Sequence, residues 1–389
     1  MKTLQFKLWL LMFLSSATLL AQKENIYTKS FKTDKNTTAL LKLTGGTVEI
    51  ESSPDENFHV EYSVEFDNYP KRKKKEVIEK VKIETQMSDN HITLIDKSKF
   101  YFNSRIYTLL GTLYKKDTTK VKNYNKKSKQ DLIEQIKESS APISFYEEMI
   151  KNSNRHSTKE KEELIKKYKS RKKKGYNRIF IIKVPRNIEL TIDAKNTVIR
   201  LNNNLVNKLS VRLSGGKFIA KSISNQSNVI KVKNALFLAE NINGGELALN
   251  NIKKGLIGSI NEANLLAEFS NLEIGEIQKN NTFKGFSNDI LIHNFSADFK
   301  QFDLFLEYSK IHFFKLINDY ELKAIGYNTL VNIGNTVEKA ASSKSDKKET
   351  FFVKERSSEG LFSGIMNFDM THGFINIHLV HDKNIKVSH

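Results

Sequence analysis

Between Ile188 and Asn335 one short unit recurs: a few residues alternating apolar and polar, a small or amide-bearing corner, then another alternating run. It is visible in IELTIDAKNTVIRL from 188, KLSVRLSGGKFIAKSI from 208, VIKVKNALFLAENI from 229, LLAEFSNLEIGEI from 265, LFLEYSKIHFFKLI from 304 and YELKAIGYNTLVNIG from 320. Strict alternation is the mark of half-buried strands, and recurrence at a fixed interval is the mark of a stacked repeat. One corner residue per unit (Asn196, Gly216, Asn234, Lys254, Asn271, Asn288, Lys310, Asn328) sets an interval of about nineteen residues. That is short for a repeat built on helices and long enough for two strands and two corners. The expectation is an all-β solenoid, a parallel β-helix with about 19 residues per coil.

A single strand–corner–strand unit has too small an apolar face to stand alone, so units must stack and pair rung to rung. Alternation points Ile192, Val198, Leu213, Ile219, Leu247, Leu249, Ile274 and Leu330 inward and Glu189, Arg212, Lys231 and Glu273 outward. Gly215–Gly216, Gly244–Gly245, Asn196 and Asn271 are residue types that tolerate the positive φ of a sharp corner. The same pattern starts earlier, in LKLTGGTVEI with Gly45–Gly46 at its corner. FHVEYSVEF alternates cleanly, and VKIETQMSDNHITLID reads as a further unit turning at Ser88–Asp89–Asn90.

Lys2 and Lys7, the apolar run Leu8–Leu14 and the following SSATLLAQ have the order of a secretory signal peptide, assigned to residues 1–21 with cleavage between Ala17 and Ala21. No later stretch has the roughly twenty apolar residues of a transmembrane helix. The 389 residues contain no cysteine, which excludes disulfides, thiolate metal sites and a lipid-modified cysteine. An exported chain of this kind depends on a large core, which stacked strands supply.

Residues 115–178 break the rhythm. They hold twenty Lys and Arg against nine Asp and Glu, in a chain of formal charge +19. SKQDLIEQIKES, SFYEEMIKN and STKEKEELIKKYKSRKKK have helical spacing, and Ser144/Glu147 and Ser157/Glu160 have the spacing of capping boxes. The segment is expected to be a separable basic helical insertion between an N-terminal solenoid portion (22–114) and a main one (179–338). A polar loop (339–360) follows, then closing strands and tail (361–389) around Gly373, expected to end the stack.

The candidate site residues are cations that could contact polyanions: Lys71, Arg72, Lys73, Lys74 and Lys75, read as a solvated loop, and Lys166, Lys167, Arg171, Lys172, Lys173 and Lys174 in the insertion. The partners they suit are an anionic glycan, lipopolysaccharide or an envelope protein, whereas nucleic acid is not expected because no ladder of aromatic and basic residues is present. Phe269, Phe286 and Tyr308 each precede a corner residue by two positions with serine between. A glycan-binding strip is one reading of that spacing, but burial of like on like between rungs is the expectation. His293 and His312 lie one period apart but in different register, so no metal site is assigned, and His378, His381 and His389 read as tail residues. No cofactor and no catalytic residue is assigned; a polysaccharide-active enzyme would need a column of carboxylates, and Asp289, Asp298 and Asp303 are spaced against the period.

LKLTGGTVEI, LSVRLSGGKFIAKSI, EFSNLEIGEI, LEYSKIHFF and THGFINIHLV resemble the repeats of bacterial adhesin-like families of exported β-solenoids, related to the head domains called GIN. The resemblance covers most of the chain outside the basic insertion and implies a right-handed β-helix, periplasmic, outer-membrane associated or extracellular, without catalytic residues to carry over. It implies an envelope or cell-surface interaction module. Binding of a polyanion or glycan, or envelope-stress sensing in the periplasm, stands as the alternative.

Overall fold

A computed structural model describes residues 22–67, 69–98, 125–140, 157–170, 175–314, 320–333, 336–340, 348–354 and 364–378. The signal-peptide assignment, Ser144 with Glu147, Arg171, Lys172, Lys173, Lys174, His381 and His389 lie outside them. The protein is mainly β, with all its described strands joined through one network of ladders.

The centre is a parallel stack. β8 (Glu189–Leu205), β9 (Leu209–Ser224), β10 (Val229–Asn250), β11 (Lys254–Glu268) and β12 (Asn271–Phe286) pair successively in parallel. Leu190 faces Leu209 and Ser210 faces Val229, offsets of 19, while Leu236 faces Lys254, an offset of 18. These long strands bend. Each rung holds a first segment, such as Ala235–Asn243, and a second, such as Glu246–Asn250, separated by corners where φ turns positive at Gly244, Gly245 and Asn251. Equivalent segments stack into two outward faces, here the first face and the second face.

At both ends the order of rungs departs from the order of the chain. β2 (Thr38–Thr44) and β3 (Thr47–Ser52) pair with β8 on one side and with β6 (His91–Asp96) and β7 (Gly175–Val184) on the other. At the far end β20 (Gly364–Thr371) and β21 (Phe374–Ile377) sit between β14–β15 (Gln301–Glu307, Lys310–Phe313) and β16–β17 (Tyr320–Tyr327, Leu330–Ile333). The last rung in sequence therefore fills an interior place and does not close the stack. The outermost positions go to antiparallel strands: β18 (Thr336–Ala340) on β17 and β19 (Glu349–Lys354) on β16. Part of the expected polar loop is thus strand, because an exposed rung edge needs partners for its backbone groups.

The N-terminal end is capped likewise. β1 (Gln22–Lys32), β4 (Asn57–Asp67) and β7 run antiparallel, and β5 (Ile83–Ser88) forms a hairpin with β6. That hairpin corrects the expected parallel unit: Asp89 and Asn90 both have positive φ, as a two-residue hairpin turn requires. One buried cluster runs from Phe31 to Ile377 and includes Ile192, Leu213, Leu247, Leu249 and Ile274. Leu330 breaks the expected pattern at 42% exposed.

Lys71–Glu79 is a helix, α1, not a solvated loop. Pro70 presets an extended entry, lysines are good helix formers, and Lys74 and Val77 turn inward, with the Lys74 ammonium 5.1 Å from the Phe66 ring centroid and 3.9 Å from Glu24. Two helices of the basic insertion are described: α2 (Lys129–Ser140) and α3 (Thr158–Ser170). The Ser157–Glu160 box forms at the start of α3.

Helix α2 is no free arm. Leu132 and Ile136 are buried against Ile219, Leu238 and Leu256 on the first outer face, with Val198 beside them. Val198 and Ile219, read as inward from alternation, therefore belong to this second, outer core. Gly258 and Gly275 allow the close approach, since a Cβ on Gly258 would lie 2.9 Å from Ile133 and one on Gly275 3.2 Å from the Lys129 Cα. Lys127 reaches Glu273 at 2.6 Å, Lys129 reaches Glu276 at 3.1 Å, and Lys254 reaches Ser139 at 2.9 Å.

Candidate functional site

One corner column organises the outer surface. The backbone passes through positive φ at equivalent places in successive rungs: Gly45, Asn196, Gly215, Asn234 and Asn251, then Phe269, Ser287, Tyr308 and His372, with Asn328 beyond. Glycine and asparagine adopt this conformation readily, whereas a bulky aromatic there is an outlier, at a cost of about 1–3 kcal/mol per residue.

A buried polar column holds the corner in place just beneath. Ser270, Asn288, Ser309 and Thr329 follow Phe269, Ser287, Tyr308 and Asn328 in sequence, and all four are buried. The Ser270 N–H donates to Asn288 Oδ1 at 3.0 Å, and the Asn288 N–H donates to Ser309 Oγ at 3.0 Å. The Asn288 side-chain amide donates to the Ala267 carbonyl at 2.8 Å. With polar groups satisfied rung to rung, the preceding residue is levered outward.

The outward residues are aromatic over the last rungs. Phe269 is 56% and Tyr308 54% exposed, and Phe286 is exposed between them. The ring centroids form a continuous chain: 5.5 Å from Phe269 to Phe286, 5.3 Å from Phe286 to Tyr308, 4.6 Å from Tyr308 to His372 and 5.3 Å from His372 to Tyr327. This corrects the expectation of burial. The aromatics that are buried, such as the level pair Phe218 and Phe237 or the neighbouring Phe283 and Phe302, point inward from strand interiors. The legible difference is position: Phe269 and Tyr308 stand directly before a buried serine of the corner and are turned out, while Phe286 is the outward last residue of β12, level with Glu268 and Glu307.

The second outer face extends from this strip. Leu266, Phe305 and Ile365 add exposed apolar area, with the Lys284 ammonium 5.6 Å from the Phe305 centroid. At the opposite corner an open concavity of about 450 Å³ is lined by Gln226, Glu262, Asn264, Asn280, Gln301 and Asp303 among others. Asn264 there lies four residue steps from Glu268 beside the strip, a span of about 13 Å along a strand.

The charged residues singled out from sequence are not gathered here. Lys71, Arg72, Lys73 and Lys75 are exposed on α1 at the N-terminal end, Lys74 is buried, and Lys166 is exposed on α3, which also carries Lys167. The structure does not show these two groups meeting.

His293 also differs from its sequence reading. It is completely buried and stacks on Phe314, 4.8 Å between centroids, which in turn stacks on His378 at 4.6 Å. The Lys127 N–H donates to His293 Nδ1 at 2.9 Å, and Nε2 lies 2.9 Å from Glu273 Oε1, so the neutral ring carries its proton on Nε2. Burial raises the Glu273 carboxyl, but hydrogen bonds from His293 and Lys127 outweigh it and hold the group below its ordinary value. Lys127, His293 and Glu273 together fasten the approach to α2. His312 aligns with Leu291, confirming a register different from His293, although both project from one face. His378 is half-buried within this stack and is not a tail residue, and burial depresses its imidazole. Among the described residues no group of three or more His, Cys, Asp or Glu could hold a metal ion.

No family model matches the chain, and no curated protein matches it. Three solved structures do. They are a "putative cell adhesion protein" from Clostridium sporogenes (10% identity, 92% of this chain and 99% of that one, TM-score 0.18), a "putative adhesin" from Bacteroides fragilis (12%, 92% and 98%, 0.29) and another from Parabacteroides merdae (11%, 91% and 96%, 0.33). The neighbours carry adhesin names, but likeness at this level does not establish a shared fold.

Proposed function

We propose that the protein is an exported, non-enzymatic, adhesin-like interaction module, and that its parallel rungs wind as a right-handed β-helix presenting one open face at the cell envelope or surface. The observation that carries this reading is the aromatic strip. Among the described residues six of the nine exposed large hydrophobics, Leu266, Phe269, Phe286, Phe305, Ile365 and Tyr308, cluster on or beside the second outer face, where a monomeric surface normally scatters them. Helix α2 packs on the first outer face over β10 to β12, and antiparallel strands pair with the described ends of the stack, whereas no described element packs on the aromatic strip. Export accords with the N-terminal pattern, and no helix among the described residues is long and apolar enough to cross a membrane.

The test is adhesion. Beads coated with the full chain are expected to stick to intact bacterial cells or to mucin-coated glass, and the Phe269→Ala/Tyr308→Ala variant to lose that attachment while remaining folded. Failure of the parent-coated beads to attach to either surface would contradict the proposal.

Exposure of Lys71, Arg72, Lys73 and Lys75 along α1 favours a secondary polyanion contact at the N-terminal end. Heparin retention that falls with salt and with charge reversal at these positions would support it; retention unchanged by reversal would sink it.

A further inference from the structure

The strip and the concavity share one outer face and present two different chemistries. Along the strip, rings in a left-handed corner replace the Asn and Gly that serve the same corner in earlier rungs. Tyr308 and Phe269 hold the less favourable backbone conformation and keep their rings in water, two penalties that a purely structural corner would avoid. An observed outlier of this kind points to a bound partner whose apolar faces cover the rings.

The ring column is interleaved with hydrogen-bonding groups. Asn250, Glu268, Phe286, Glu307, Thr371 and Tyr327 stand level across successive rungs. Toward the far corner lie Asn264, Thr282, Asp303 and Asn367, the last donating to Asp303 at 2.9 Å. Side-chain amides, carboxylates and hydroxyls match alcohol groups as donors and acceptors.

Charge narrows the choice. The chain is formally +19, yet on these rungs Glu246, Glu268, Asp303, Glu307 and Asp369 face outward against Lys284 and Lys323, and Lys348 is taken up by Asp369 at 2.7 Å. A polyanion would meet repulsion here. A purely apolar partner would cover a lining of amides and carboxylates that pair with one another, as Gln301 does with Asp303 at 2.7 Å, and would strip water from their remaining donors and acceptors.

The geometry points to a binding site for a neutral oligosaccharide, lying along the strands of the second outer face from the Phe269–Tyr308 strip to the concavity at Asp303. Sugar rings offer apolar C–H faces for the aromatic edge and hydroxyls for the amides and carboxylates, and the span of about 13 Å accommodates several units. This rests on the interaction-module reading and names its ligand class.

The experiment is titration of the full chain with laminarihexaose, mannohexaose, cellohexaose and heparin by calorimetry, alongside the bead assay. At least one neutral hexasaccharide is expected to bind without dependence on salt. Phe269→Ala and Tyr308→Ala are each expected to weaken it about fivefold or more, the scale of one lost aromatic contact. Gln301→Ala should weaken it as well, whereas Val206→Ala, which removes exposed apolar area elsewhere, should not. Equal binding by parent and both ring variants would place the site elsewhere and overturn the inference. If none of the neutral sugars binds but the beads attach through the strip, the partner is a protein: the sugar inference falls and the module reading stands. If only heparin binds, the inference falls too.

Discussion

Replacing Leu132 by alanine tests how helix α2 is held. The side chain is fully buried in the small outer cluster with Ile136, Ile219, Leu238 and Leu256, separate from the main core. Removing a buried leucine to alanine costs about 2–5 kcal/mol, the spread depending on how far the site collapses. A cluster on an outer face collapses more readily than one enclosed by rungs, so a value near 3 kcal/mol is expected, or roughly a 100-fold rise in the opening equilibrium of the helix. The inward residues of β10 to β12, such as Phe237, Ile257 and Ile274, touch none of this and should not respond. Hydrogen exchange read by mass spectrometry separates the two. Peptides covering residues 125–140 should lose protection while peptides from β10 to β12 keep theirs. If the strands open together with the helix, the two cores are one cooperative unit; if residues 125–140 are already unprotected in the parent, the docking is wrong. The docking of α2 argues against a separable arm, and deletion of residues 116–174 should expose Ile219, Leu238 and Leu256 and promote association.

Other expectations follow from single contacts. Asp96→Ala leaves the Arg178 guanidinium, 6% exposed and 3.0 Å from Asp96, without its buried partner; a loss of about 3–5 kcal/mol is expected in urea unfolding, and no change would show the pair to be hydrated. Gly216 sits at φ +97° with the Thr197 backbone against it, so Gly216→Ala should lower the melting temperature, whereas an unchanged value would mean the corner relaxes. Because Glu273 titrates below its ordinary 4.5, its contribution to α2 docking is complete above that pH and is lost as pH falls through its folded value. The chain has no cysteine, so a fluorophore on Glu138→Cys reports this cleanly: mobility should rise in acid, and Glu273→Gln should flatten the response.

Much of the stack was legible because alternation and corner chemistry act locally. The strands from Glu189 to Phe286 and the helices around Leu132 and Thr158 follow from spacing of residue types, while the rung offset is not constant, being 19 at the start of the β8–β9 ladder and 21 between β12 and β14. What spacing does not fix is order in space. Ladder pairing is satisfied equally by a neighbour in sequence or by a distant rung, so the insertion of residues 364–377 between β14 and β16 left no local trace. Period two likewise says that Ile219 differs in facing from its neighbours, but not that a helix covers its side of the sheet. The strip was visible as Phe269, Phe286 and Tyr308, yet the facing of Phe269 and Tyr308 depended on φ at the corner and on the buried serine that follows each, and Phe286 stands one residue off their column, level with Glu268 and Glu307.

Hydroxyl-radical footprinting of the full chain, free in solution and attached to the cells or mucin surface that captures it, addresses the central claim most directly. In the free protein Phe269, Phe286 and Tyr308 should oxidise readily and the buried Phe237 and Phe302 should not. On attachment the three strip residues should become protected while Met87, exposed at the other end of the stack, stays reactive. Strip residues that are protected already in the free protein, or that react equally in both states, would contradict the account.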